Sequence, residues 1–154
     1  MTYTVESVLS DEQRIADFPW GRKSLIEFAR FLAEYGRNQK LSLAIAIYFH
    51  NVKIFQEFLD GTSEVNELWV QRKINTVRAC GHSTLFARAI MDKGAYGELQ
   101  LENHFGELAI CGGGIPIIKN GKQEAVVVVS GLPHEDDHNL IISQFEIFKG
   151  KHGK

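Results

Sequence analysis

The sequence predicts an α/β domain of the α+β type, in which helices cover a central antiparallel sheet. Two hairpin patterns indicate antiparallel strands, because strands joined by a short turn must run in opposite directions. Four apolar patterns of helical spacing flank and separate these hairpins. At 154 residues the chain has the length of one domain, so 1–154 is expected to form a single unit.

The first helix is expected from about residue 21 to residue 36, after a short polar opening. Leu25, Phe28 and Leu32 recur at helical spacing and predict its buried face. Gly36 follows at a position where a left-handed cap can end the helix.

The next predicted elements are a hairpin and two helices. Strand-forming residues fill 41–49 and 54–59, and the polar residues between them indicate a connection. Ser63 can cap the following helix, and Gly81 can end it. Ser83 offers the cap of a second, shorter helix.

A second hairpin and a final helix complete the predicted fold. The Asn120-Gly121 dipeptide favours a tight turn between strands at 115–118 and 125–129. The valine run of the latter is typical of a strand buried on both faces. Pro133 can begin a helix that ends near Gly150.

Composition excludes several classes of protein. Seventeen Lys and Arg against nineteen Asp and Glu give a net charge of -2, which argues against nucleic-acid binding. The longest apolar stretches are far shorter than the roughly 20 residues that span a bilayer, and the N-terminus has no signal-peptide core. We therefore expect a cytoplasmic protein with no membrane segment, whose Cys80 and Cys111 are reduced thiols.

The segment from His134 to His138 resembles a zinc-protease motif, with two histidines one helical turn apart. Its middle positions are aspartates, it begins directly after Pro133, and little chain remains to supply a third ligand. We therefore predict no metal site. Either the acidic residues cap the helix, or Asp137 and His138 take part in binding.

Other polar residues admit both a structural and a functional interpretation. Arg72 and Lys73 form either a solvated helical face or an anion site. His82 either completes a helix junction or belongs to a site. The glycines after Cys111 either allow a sharp turn or let the backbone approach a ligand closely.

Four motifs recur together in the order of a known family. They are Trp69-Val-x-Arg72-Lys73, Gly81-His82-Ser83, Gly112-Gly113-x-x-Pro116 and Ser130-Gly131-Leu132-Pro133-x-x-x-Asp137-His138. Over about residues 10–149 the chain resembles an uncharacterised family within the haem-degrading domain superfamily, related to the glycolate-operon G protein type. The resemblance implies a sheet of about five strands and assembly into dimers or larger rings. In that family a histidine usually precedes the paired glycines, where this chain has Cys111.

The leading hypothesis is an oligomeric domain that binds a small anionic ligand, with haem as the cofactor that the resemblance suggests. The candidate ligand-binding residues are Arg72, Lys73, His82, Ser83, Cys111, Gly112, Gly113, Asp137 and His138. One alternative is a small-molecule enzyme with His82 or His138 as acid or base and Cys111 as nucleophile. The other is a protein-interaction scaffold anchored by Trp69.

Overall fold

The computed structural model describes residues 3–99, 101 and 105–152. In these residues it contains five α-helices, one short 3-10 helix and four strands, which confirms the predicted class with a sheet close to the expected five strands. The elements in order are α1 (Val5–Ala16), α2 (Arg22–Asn38), β1 (Ala44–Phe49), β2 (Val52–Phe58), α3 (Glu64–Cys80), α4 (Thr84–Asp92), the 3-10 helix (Tyr96–Glu98), β3 (Gly114–Lys119), β4 (Lys122–Ser130) and α5 (His134–His152).

The sheet is antiparallel throughout and has the strand order β2-β1-β4-β3. Its valine-rich strand β4 is central and is buried from Ala125 to Ser130, as the sequence predicted. Val127 and Val129 point to the face that packs against α2 and α5. Val126 and Val128 point to the other face, which α3 covers. Helices therefore bury both faces of the sheet.

The two hairpins have different outcomes. The Asn120-Gly121 turn lies where it was predicted, with positive φ angles of 52° and 76°. The first turn is shorter than expected, because only His50 and Asn51 form it, with φ angles of 50° and 65°. Val52 was assigned to the connection but pairs with Phe49 as the first residue of β2.

The N-terminal segment is not a polar opening, because it forms α1. Thr4 caps this helix, and its side chain accepts a hydrogen bond from the Ser7 N–H. The buried residues of α1 are Val8, Glu12 and Ile15. An inward glutamate interrupts the apolar pattern of this helix, so hydrophobic periodicity alone does not reveal it. The helix packs on β3, α4 and α5.

The caps predicted for α3 and α4 are confirmed, but the left-handed cap predicted at Gly36 is wrong. Gly36 lies inside α2, which continues to Asn38, and its missing side chain instead makes room for Leu59. Ser63 accepts from the Val65 N–H at the start of α3, and Gly81 ends that helix with a φ of 74°. Ser83 accepts from the Phe86 N–H at the start of α4. None of the helices in the described part of the chain combines the length and apolar character that crossing a bilayer requires.

Candidate functional site

An open cavity of about 370 Å³ lies where β4 ends and α5 begins. The N-terminal half of α3 and the loop before β3 form its other walls. Its lining residues are Val65, Asn66, Trp69, Lys73, Cys111, Ser130, Gly131, Leu132, His134 and Asp137. The cavity thus brings together residues from two of the four sequence motifs, with Cys111 from the loop before β3.

A buried ion pair forms part of the cavity wall. The Lys73 Nζ atom lies 3.0 Å from Asp137 Oδ2 and donates a second hydrogen bond, of 2.9 Å, to the Val129 carbonyl. Both side chains are at most 3% exposed. Removing two charges from water is unfavourable, so this arrangement depends on the good geometry of the pair.

The carboxylate of Asp137 also holds the turn between β4 and α5. It accepts hydrogen bonds from the Leu132 N–H at 2.9 Å and the Gly131 N–H at 3.4 Å. Burial raises the pKa of Asp137, while the Lys73 ammonium and the backbone donors oppose that rise. Asp137 therefore both stabilises the backbone of this turn and pairs with the Lys73 ammonium.

The paired glycines allow two close approaches. Gly113 has a φ of 130°, and a Cβ atom there would lie only 2.4 Å from Lys73 Nζ. At Gly112 a Cβ atom would lie 2.4 Å from the carbonyl oxygen of His134. Gly113 makes room for the buried ammonium of Lys73, and Gly112 lets the loop pack against the start of α5. Both glycines thus shape the cavity wall through their backbone.

Cys111 and His134 contribute the nucleophilic and basic groups of the cavity. Burial raises the pKa of the Cys111 thiol, which the Lys73 ammonium opposes, so the thiol stays protonated near neutral pH. Burial lowers the pKa of His134, and the positive charge of Arg88 lowers it further. The cavity therefore presents a neutral thiol and a neutral imidazole.

An aromatic side chain lies at the cavity, next to a cation. The indole of Trp69 is 38% exposed, and the guanidinium carbon of Arg72 lies 5.4 Å from its ring centroid. The same guanidinium forms a 2.9 Å ion pair with Glu107. Arg72 thus contacts the cavity residue Trp69 without lining the cavity itself.

Three predicted site residues lie outside the cavity, where they contact α1. The Nδ1 atom of His82 lies 3.0 Å from Glu12 Oε1, and the Ser83 N–H donates to the other oxygen of the same carboxylate. His138 is fully buried, and its Nε2 atom lies 3.0 Å from Asp11 Oδ2. The structure therefore separates His82, Ser83 and His138 from Lys73, Cys111 and Asp137.

The cavity also contains residues that the sequence did not select. The sequence associates His134 only with a metal motif, and Trp69 with a family motif and an interface anchor but not with the ligand. Helical spacing could have linked Val65, Trp69 and Lys73, because positions four and eight residues apart share one face of a helix. No comparable sequence signal links His134 to Gly112, which are brought together by the fold.

Residues 23–146 match the family model described as haem degrading protein HbpS-like. A UPF0303 protein of Sinorhizobium medicae is 33% identical over 139 residues, which cover 89% of this chain and 81% of the relative. The family match extends over most of the described helices and all four strands.

Several crystal structures share the fold, and two of them serve as examples. The Ybr137w protein is similar with a TM-score of 0.81 and 21% identity, over 98% of this chain and 90% of that chain. A PduOC complex with haem has a TM-score of 0.63 and 17% identity, over 81% of this chain and 94% of that chain. At these identities the likeness concerns the fold alone.

Proposed function

Because this chain belongs to the HbpS-like family of haem-degrading proteins, we propose that it binds a small anionic ligand, with haem as the first candidate. The haem complex of PduOC supports this choice, since that protein shares the fold. The proposed binding site is the cavity between β4, α5 and α3. Its ligand would combine a flat apolar body with a negative group.

The observation that carries the proposal is the meeting of Cys111, Trp69 and Lys73 in one cavity. A thiol is a ligand for soft and borderline metals, and an indole face suits a flat apolar molecule. The Lys73 ammonium is paired with Asp137, so it contributes positive charge to the wall rather than a free donor. These groups come from the loop before β3 and from α3. Their convergence is a property of the fold that neither segment has alone.

The side chains of the cavity fit haem by their chemistry. Cys111 would hold the iron and would release its thiol proton on binding, since metals bind the thiolate. Trp69 and Leu132 would contact the macrocycle. Haem, when bound, would supply one-electron chemistry at its iron.

The pKa of Cys111 argues against nucleophilic catalysis. A cysteine nucleophile needs a thiolate, whereas burial raises the pKa of this thiol.

Self-association remains part of the proposal, because Val65 and Leu68 of α3 are each 54% exposed beside the cavity. A second copy would cover these apolar side chains.

A haem titration of the purified protein tests the proposal. We expect a saturable shift in the visible absorption spectrum that the Cys111→Ala variant loses. The Cys80→Ala variant is the matched control, because Cys80 is the chain's other cysteine and its thiol contacts the carbonyl of His82, outside the cavity. Circular dichroism would verify that both variants are folded.

The two variants separate site binding from adsorption. Loss of the shift in Cys111→Ala but not in Cys80→Ala supports iron ligation in the cavity. An equal shift in all three proteins, or none in the parent, would contradict haem binding through Cys111.

A further inference from the structure

The imidazole of His134 has a fixed hydrogen-bonding role. Its Nδ1 atom lies 3.1 Å from the backbone nitrogen of Gly112. A backbone N–H can only donate, so Nδ1 must accept and carries no proton. In the neutral ring the proton is then on Nε2. His134 therefore offers an N–H donor at Nε2 and no lone pair there for a metal.

The backbone keeps this ring in place. His134 is the first residue of α5 and follows Pro133, whose ring restricts the start of the helix. Gly112 packs so closely against the His134 carbonyl that a Cβ atom would lie 2.4 Å from it. The loop and the helix start therefore hold the donor in one orientation, which lowers the entropy lost when a ligand binds.

The charged groups of the region are already paired. Lys73 is bonded to Asp137, and Arg72 to Glu107. A ligand anion would have to compete with these carboxylates for the cations. A ligand that accepts from the Nε2–H group of His134 does not have to displace the bond that Gly112 makes to Nδ1.

The electrostatic surroundings of His134 suit an anion. Burial and the nearby Arg88 and Lys73 lower the pKa of this histidine, so the imidazole stays neutral. Glu135 and Asp92 oppose these cations, but Arg88 has a larger effect than Glu135 and Lys73 a larger effect than Asp92, so the net potential at the ring is positive. A neutral donor in a positive potential can bind a carboxylate without itself being a buried charge.

We propose that His134 forms a carboxylate subsite of the cavity, in which Nε2–H donates to one carboxylate oxygen of the ligand. For haem, that group would be a propionate. The inference rests on the proposed function, because it names the atom that recognises the anionic part of the same ligand. It assigns the hydrogen bond to the ligand's carboxylate to His134, and not to Arg72 or Lys73.

The test compares haem with haem dimethyl ester, in which the propionates carry no charge. We expect the parent to bind haem about tenfold more tightly than the ester, as one hydrogen bond to a charged group can provide. His134→Phe should lose this preference, and His134→Gln should recover part of it through its amide donor. His50→Gln is the control, since His50 lies on an exposed turn and pairs with Glu124; it should keep the preference.

Each result bears on a separate claim. An unchanged preference in His134→Phe would overturn the carboxylate subsite, while a shift that still requires Cys111 would leave the proposed function standing. If the parent shows no Cys111-dependent shift with either haem or its dimethyl ester, the proposed function itself is overturned. Nitrogen NMR of the parent gives an independent check that needs no variant. A proton found on Nδ1 of His134 would overturn the subsite.

Discussion

Two regions of this molecule use histidine in opposite ways. At the contact with α1, His82 faces the carboxylate of Glu12, which can only accept a hydrogen bond. At the cavity, His134 faces the N–H of Gly112, which can only donate one. The first partner raises the pKa of His82, whereas burial and cationic neighbours lower that of His134. The role of a histidine thus follows from its partner rather than from the motif that contains it.

The two regions also stabilise buried charge differently. The cavity wall contains the Lys73–Asp137 pair, in which each side chain is almost completely buried. On the α1 side, burial by itself would raise the pKa of Asp11, but hydrogen bonds from His138 and Arg14 outweigh it and lower the pKa. Asp11 also keeps some exposure, so water shares in stabilising its charge. A mutation at the cavity pair should therefore have the larger effect.

The largest expected effect is that of Asp137→Ala. This change leaves the Lys73 ammonium buried without its carboxylate and removes the acceptor of the Leu132 N–H. We expect the free energy of unfolding to fall by about 3–5 kcal/mol, as measured by urea denaturation.

A surface ion pair provides the control for that measurement. Arg37 and Glu57 form a pair whose side chains are 53% and 36% exposed. Glu57→Ala should change the free energy of unfolding by no more than about 1 kcal/mol. A similar loss for Asp137→Ala and Glu57→Ala would contradict the view that burial gives the cavity pair its importance.

An intermediate effect is expected for Glu12→Ala on the α1 side. The substitution leaves the Ser83 N–H without its acceptor and removes the carboxylate beside His82. The free energy of unfolding should fall by about 1–3 kcal/mol, and the pKa of His82 should fall as well. Glu12→Gln separates the two consequences, because its amide oxygen can still accept from Ser83 but carries no charge. If Glu12→Gln preserved the pKa of His82, the carboxylate would not be its cause.

The smallest effect is a difference in titration between the two histidines. Proton NMR should give His82 a midpoint above 6.5 and His134 one below it. The raised pKa of His82 stabilises the fold fully below pH 6.5, and this contribution is lost as pH rises through the folded-state pKa. The lowered pKa of His134 has the other sign, so its contribution to stability falls as pH drops below 6.5. Midpoints in the reverse order would refute both Glu12 as the cause at His82 and burial with Arg88 as the causes at His134.

Local signals in the sequence were sufficient for most of the fold. Ser63 and Gly81 bound α3 because a side-chain cap and a left-handed glycine are local devices. The Asn120-Gly121 turn is local for the same reason. The helix α1 escaped prediction because Glu12 is buried by a contact with His82 and Ser83, some seventy residues away. Such a contact cannot be inferred from periodicity.

The candidate site was only partly accessible from the sequence. Residue types and motifs pointed to Lys73, Cys111 and Asp137, which the fold brings to one cavity. The same reasoning grouped His82 and His138 with them, although both face α1. Neighbouring positions in a motif can point to different sides of a helix. Only the packing of α1 determines which side each histidine serves.

The position of α1 has a consequence for how the molecule opens. Two consecutive residues of this helix bind two different parts of the chain, Asp11 to His138 in α5 and Glu12 to His82 and Ser83 between α3 and α4. Because Asp11 and Glu12 are adjacent, neither contact can separate far without straining the other. The N-terminal helix should therefore detach as one cooperative unit, and its amide hydrogens should exchange together rather than one turn at a time.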